Sequence, residues 1–401
     1  MRRAVRSCTS LLILGAAVCP AQQQKKKRQD DLVLPPVLEA MVEGKKRKNE
    51  PVTQTLETLP DPPAYVVAET RKLVFHIAPM SAKGLLSQQV RDGIKTLWRL
   101  NGGATIVRLR AFVAGTGDLR RVQAVVSEEF TGRRVPLPVL TVVQVGELPS
   151  EGAQVVLESV SVGRKDVNPK GLAFLSGQAV SAQEELVDVT PLAAKSMSQL
   201  RTALTGIGLG AADVTRVTCF CSSIAAFESI RGMFASEYPK AALNIVQVQR
   251  GHTPGLVECE AVAKLKTSPD TPVRMVNPSG LPSSPNYSQV ALVGARKVVL
   301  SGAQLAFRAQ DDDVRLAFER LGKSLEPARV TLGDVVMSSI YPLSSVMTGK
   351  VRALRFEYYR RDRPPASTML LFEGLPSLDA SFAVDVIAVA PDGAARAPAS
   401  N

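Results

Sequence analysis

Histidine is nearly absent from this chain, with two in 401 residues. Cysteine stops at five, tryptophan occurs once, and aromatic residues make up only 5%. Each scarcity excludes something. Two histidines and five scattered cysteines leave little room for a Cys/His zinc site or a Ser-His-Asp triad of the usual build. So few rings argue against a platform on which nucleic-acid bases stack. No apolar run approaches the roughly 18 residues of a membrane-spanning helix. Glycines occur in several pairs, but none belongs to a Gly-rich loop closed by Lys-Ser/Thr, the pattern that cradles phosphate. No metal and no cofactor is expected.

What is present can build cores: 45% of residues are apolar and 21% charged. At roughly 100–200 residues per domain, the length allows about two to four domains. Lys+Arg 49 against Asp+Glu 37 gives a net charge of +12. Part of that excess lies near the N-terminus. Arg2, Arg3 and Arg6 precede the apolar run 11–18, and Cys19-Pro20-Ala21 follows. A charged start, a short apolar stretch and a small residue at the cut form the layout of a secretory signal, with cleavage after Ala21. A lipoprotein cut before Cys19 fits less well, because Val18 is too bulky there. Export to a periplasm or the exterior is therefore the expected localisation. Residues 22–68 carry Lys25-Lys26-Lys27-Arg28 and Lys45-Lys46-Arg47-Lys48 among prolines, and read as a flexible linker. Such an arm could rest on an acidic envelope surface; the simpler reading is a solvated export tail. The basic excess is thus weak support for a nucleic-acid partner, and none is expected. Residues 392–401 are small and polar, and read as a disordered tail.

The middle of the chain repeats itself three times. In residues 164–270, an apolar run 172–180 carries Ser176-Gly177-Gln178. Thr190-Pro191 then opens a helix whose Met197, Leu200 and Leu204 share one face. The run 214–221 reads as a strand, 224–238 as a second helix, and 244–249 and 256–264 as closing strands. The order is β-α-β-α-β-β. Residues 271–391 give it again, with Ser301-Gly302-Ala303-Gln304 in the first strand 298–307 and helix-spaced Val314, Phe318, Leu321 and Leu325. Residues 69–163 give it a third time, with Val90, Ile94, Leu97 and Trp98 facing inward from the first helix. The fold class expected is α/β (α+β): three units, each a mixed sheet with two helices on one face.

These repeats resemble the RidA/YjgF family, also called the L-PSP endoribonuclease family, whose units are chorismate-mutase-like. The matching stretches are Pro285-Asn286-Tyr287-Ser288-Gln289, the two Ser-Gly turns, Gly333-Asp334-Val335-Val336, Leu375-Pro376 and Asp385-Val386-Ile387-Ala388. Known members are homotrimers with ligand clefts between subunits. The resemblance thus implies an intrachain pseudo-trimer, monomeric as a chain, with a small-molecule ligand between repeats.

Family members that hydrolyse enamines and imines grip the substrate carboxylate with an Arg, whose planar fork suits a planar anion. Counting back from the Leu-Pro places that position at Leu140 in repeat one and Ser367 in repeat three, and counting from Val248 places it near Leu243 in repeat two, none of them Arg. Arg134, Lys240 and Arg363 lie a few residues upstream as possible displaced cations. The water-positioning acid corresponds to Glu158, Glu260 and Asp385, each in an apolar last strand; an acid structural at a repeat interface fits there as well. Tyr287, Ser176, Gly177, Ser301 and Gly302 are the expected ligand-binding residues, the best site combining Tyr287, Ser301 and Gly302 with a neighbouring repeat's acid. Repeat one has Phe75-His76-Ile77-Ala78 at its turn, where His76 is a possible base and more simply a packed side chain.

The function expected is an exported small-metabolite-binding protein that has lost imine deaminase activity. A deaminase with a displaced cation is the alternative, an RNA-binding or RNA-cleaving protein a second, and a purely structural envelope protein a third. Cys219 and Cys221 share one face of a strand; either could bridge to Cys259, although small buried side chains are the plainer reading.

Overall fold

The computed structural model describes residues 58–115, 117–249 and 254–391. The signal-like segment, both basic runs and the tail 392–401 lie outside the described residues. No helix among those described is long and apolar enough to cross a membrane.

The first repeat comprises Tyr65–Glu69 (β1), Leu73–Ile77 (β2), Leu86–Leu100 (α1), Thr105–Ala114 (β3), Leu119–Gly132 (α2), Val139–Val145 (β4) and Val155–Val162 (β5). The second comprises Leu172–Ser181 (β6), Thr190–Gly206 (α3), Val214–Cys221 (β7), Phe227–Glu237 (α4), Ala242–Gln247 (β8) and Leu256–Lys264 (β9). The third comprises Val273–Val276 (β10), Val290–Val293 (β11), Lys297–Ser301 (β12), Gln304–Phe307 (β13), Asp311–Leu325 (α5), Val335–Pro342 (β14), Ser345–Leu354 (α6), Ala366–Met369 (β15) and Ala380–Ala390 (β16). The elements expected from periodicity all occur. The third repeat's first strand, however, breaks at Gly302-Ala303 into β12 and β13.

Each repeat forms a mixed sheet in the same order: β2-β5-β3-β4, β6-β9-β7-β8, and β12-β16-β14-β15. In each, the second and third of its four main strands run parallel, which requires a crossover, and the second helix supplies it. The helices form where sequence favours them. Asp313 accepts the Gln310 N–H at 2.9 Å, and Asp311 to Asp313 complement the dipole at the start of α5. The Ser344 hydroxyl accepts the Met347 N–H at 3.2 Å and starts α6. One face of each sheet packs on its two helices, as Val90, Ile94, Leu97 and Phe130 do against Leu109, Ala111 and Val113. The other faces meet one another. Phe112 and Phe220 stand 5.9 Å apart and Phe220 and Phe372 5.7 Å apart on one side of the centre, and Leu73, Leu172 and Val298 share a core on the other.

The repeats exchange their leading segments, which the sequence did not reveal. β1 pairs antiparallel with β12 of repeat three, not with β2. β11 pairs with β6 of repeat two, and β10 adds to β11. In repeat two the leading role falls to Val167 and Asn168, whose N–H groups both reach Arg71 O of repeat one, at 2.8 and 2.9 Å. Two expectations are corrected by this. Residues 65–68, assigned to the linker, are strand. Residues 273–293, assigned to repeat three, belong to the second sheet. The cysteines need a correction too: Cys219 and Cys259 are cross-strand register partners and form a disulfide, whereas Cys221 is free and buried.

Candidate functional site

Two kinds of place could carry function: the centre where three sheets meet, and the three junctions around it. The strand registers align them. Arg110, Thr218 and Ser339 oppose Glu158, Glu260 and Asp385 on the last strands. They also pair with Thr141, Asn244 and Thr368 on the neighbouring parallel strands.

At the centre the three expected catalytic acids are brought together. Glu158 accepts Arg110 Nε at 2.8 Å, Thr218 Oγ1 at 2.7 Å and Asn244 Nδ2 at 2.8 Å. Glu260 accepts Arg110 Nη2 and Arg216 Nη2, both at 2.8 Å, and Thr368 Oγ1 at 2.7 Å. Asp385 accepts Arg108 Nη2 at 2.5 Å, Thr141 Oγ1 at 2.7 Å and the Tyr341 hydroxyl at 3.0 Å. Each acid therefore takes one bond from the next repeat's parallel strand. Burial pushes Glu260 up, but Arg110 and Arg216 outweigh it and hold the group at about 2. Glu158 is likewise held below the ordinary carboxylate range, Arg110 first overcoming its burial. These carboxylates are at most 4% exposed, and both oxygens of each are engaged. The expectation that they position a ligand-facing water is corrected. Their place is a buried ionic layer between two apolar cores.

Around the centre, Leu140, Leu243 and Ser367 occupy equivalent register positions, paired with Leu109, Val217 and Ser338. Each faces the turn of another repeat, and the three junctions have diverged.

At the junction of repeats two and three, the Ser176 hydroxyl donates to Ser288 O at 2.6 Å and accepts the Ser367 N–H at 2.8 Å. It is thus fully used inside the protein. Gly177 has no room for a side chain, because a Cβ would fall 1.8 Å from Glu258 Oε1. Glu258 is 6% exposed and accepts no hydrogen bond from the described residues. Burial, with Glu260 adding to it, pushes the group up to about 8. Tyr287 is half-buried, and its hydroxyl feels both Glu258 and Arg355. Arg355, 2% exposed, donates Nη1 to Ser367 Oγ at 3.3 Å and Nη2 to Asn286 O, while its buried Nε has no acceptor. A guanidinium therefore stands beside the position where counting found Ser367. Arg363, the expected candidate, instead donates to Gly333 O at 3.2 Å. The strand exchange is why Tyr287 lies here and not with Ser301 and Gly302; their expected combination is corrected.

At the junction of repeats one and two lies a cavity of about 440 Å³. His76 and Ile77 line it from one repeat, and Arg231, Lys240, Leu243 and Asn244 from the other. Burial lowers the His76 imidazole, partly offset by the nearby Asn101 side chain, and His76 Nδ1 is buried without a hydrogen-bond partner among the described residues. Lys240 is exposed and has no carboxylate partner among the described residues; Arg231 pairs with Glu228 at 2.8 Å. At the junction of repeats three and one, Gly302, Leu140, Leu305 and residues 62–64 line about 270 Å³. Ser301 Oγ accepts the Val386 N–H at 2.9 Å and is buried, so it too is internally satisfied. Arg134, the remaining displaced-cation candidate, is exposed in a left-handed turn with φ 55°.

Residues 164–265 match the model of the Endoribonuclease L-PSP family. The chain resembles the RidA/YjgF family. Among solved structures, a protein of the conserved Rid family from Yersinia pestis is 18% identical, over 30% of this chain and 99% of its own, with a TM-score of 0.27. A member of the YjgF family from Mycobacterium tuberculosis is 22% identical, over 29% and 98%, with a TM-score of 0.22. No curated protein sequence matches the chain.

Two residues at the junction of repeats two and three are not legible in the sequence. Glu258 lies two positions before Glu260 on the same strand face, and only the neighbouring Gly177 distinguishes them. Arg355 stands twelve residues before Ser367, in the turn after α6, too far along the chain for local spacing to link the two.

Proposed function

We propose that this is an exported small-molecule-binding protein whose open site is the junction of repeats one and two. The observation that carries this reading is the 440 Å³ cavity lined by Lys240 and Arg231 beside His76. Ligand sites are concave, with few charged groups among apolar walls, and Lys240, without a carboxylate partner among the described residues, suits a small anion. Leu243 stands where an enamine-hydrolysing relative would grip its substrate, so binding without deamination is the reading for this junction. Thermal shift with short-chain carboxylates and inorganic phosphate tests it. A stabilisation that Lys240→Ala removes is expected; equal shifts in both proteins would move the site elsewhere. The Cys219–Cys259 disulfide supports export, since such bonds persist in oxidising compartments.

A second reading draws on Glu258 and Arg355. An acid held near 8 retains its proton at neutral pH and can pass it to a departing amine, while Arg355 takes a carboxylate. Water adds to the imine carbon, ammonia leaves, and a carbonyl remains. The test follows loss of 2-aminoacrylate generated in situ by a lyase. Acceleration abolished by Glu258→Gln supports imine hydrolysis at the junction of repeats two and three; no acceleration by folded protein leaves binding alone.

A further inference from the structure

The junction of repeats three and one is crossed by the segment that leads into β1. Ala64 O accepts the Gly302 N–H at 3.0 Å, so the ladder of β1 with β12 runs one residue past the strand end. Pro62 and Pro63 then stop it, because neither has an N–H to donate. The chain therefore runs along the wall of the 270 Å³ cavity instead of lengthening the sheet. Pro62, Pro63 and Ala64 line that cavity together with Leu140, Val142, Gly302, Leu305 and Leu321. Upstream, among the described residues, the hydrogen bond that ties the crossing is to Asp61 Oδ1, which accepts Gln123 Nε2 at 2.8 Å on the exposed surface. The other turn amide, Ala303 N–H, is committed to Leu140 O at 3.1 Å. The Gly302 N–H is thus the turn amide whose acceptor lies on the segment before β1.

We propose that residues 60–64 are a self-occluding strap, and that its displacement opens this junction to a small ligand with a hydrogen-bond-accepting oxygen and a short apolar body. The oxygen takes the Gly302 N–H released by Ala64 O, and the body lies against Leu140, Leu305 and Leu321. The stiff Asp-Pro-Pro run limits the conformations lost on closing, and the single surface tie keeps opening accessible. This proposal rests on the reading that inter-repeat junctions take small ligands. It adds that one of them is regulated by residues 60–64.

Nuclear magnetic resonance on the full chain tests it, with butyrate as the probe. A loosened strap carries Asp61→Ala, Pro62→Gly and Pro63→Gly together. Apparent affinity scales with the fraction of open molecules, so the loosened chain should bind butyrate about tenfold or more tightly, with shifts at Gly302 and Ala303. Amide exchange at Gly302 should accelerate in the same variant. Adding Ala303→Leu, which fills the cavity, should remove the gain while the faster exchange persists. Unchanged exchange, or faster exchange with equal butyrate affinity, overturns the strap. Butyrate shifts confined to Asn244 and Lys240 in both chains would overturn the strap yet keep the ligand-binding reading. Binding nowhere overturns both.

Discussion

Arg355 donates to the Ser367 hydroxyl at 3.3 Å, at the register position that Leu140 and Leu243 fill in the other two sheets. This junction therefore holds a buried guanidinium and a buried acid, Glu258, each felt by the Tyr287 hydroxyl. The Arg355 fork is used on two sides, and Nε points at no acceptor. If that nitrogen serves a carboxylate, Arg355→Lys will not replace it, because an ammonium lacks the planar pair of donors. Loss of one charge-assisted bond should lower kcat/KM on 2-aminoacrylate by about ten- to hundredfold. The check is steady-state kinetics beside urea unfolding of the same variant, so that lost folding is not counted as lost binding.

Glu258 gives the clearest pH signature. Its folded value near 8 lies above the ordinary carboxylate range, so the native state holds a proton that the unfolded chain releases. Stability then falls as pH rises from about 4.5 through 8. Each pKa unit corresponds to about 1.4 kcal/mol, so the burden at high pH is on the order of a few kcal/mol. Glu258→Gln should remove that slope and be more stable than the parent above pH 8, with little difference near pH 4.5. Urea midpoints measured across this range decide it; identical slopes would mean the group is solvated or paired.

Within each repeat, much of this was legible from sequence. Val90, Ile94 and Leu97 announce α1 by spacing alone, and Thr190-Pro191 marks the start of α3, because these signals are local. The strand exchange was not legible. Val290 to Val293 would pair equally well with β12 next to it or with β6 of another repeat, and only the assembled sheets decide. The same gap affects the site: sequence proximity groups Tyr287 with Ser301, whereas the exchange puts it beside Gly177 and Glu258. The central acids were found, but not their partners. Arg108, Arg110 and Arg216 sit on apolar strands, where a sequence gives no indication that three carboxylates await them.

Arg110 binds Glu158 and Glu260 at once; removing it takes away the one guanidinium paired with Glu158 among the described residues and leaves Glu260 with Arg216 alone. Arg110→Met should destabilise the fold by about 3–5 kcal/mol at neutral pH, the usual cost of breaking one side of a buried pair. The loss should shrink in acid. Glu260 is depressed to about 2, so its contribution is present above pH 4.5 and fades as pH falls toward 2. Denaturant titrations of both proteins at neutral and acid pH measure the difference. A constant gap would assign the effect to packing of the Arg110 stem against Phe112, 5.0 Å from its guanidinium carbon, and not to charge.

The Cys219–Cys259 bridge links neighbouring strands of the second sheet and closes a loop of 40 residues in sequence separation. Restricting the unfolded chain over that span contributes about 4 kcal/mol in the chain-entropy account. Cys221 lies two residues from Cys219 in the same core, and burial pushes its thiol up to about 12. It should therefore resist alkylation in the native state and not scramble the bridge. Digestion of protein alkylated while unfolded should yield one peptide pair joined through Cys219 and Cys259, and a modified Cys221. Reduction should lower the urea midpoint, as should Cys219→Ala, and the two should not add. If all three cysteines are alkylated in freshly isolated protein, the chain matures in a reducing compartment. The argument for export would then rest on the leader-like residues alone.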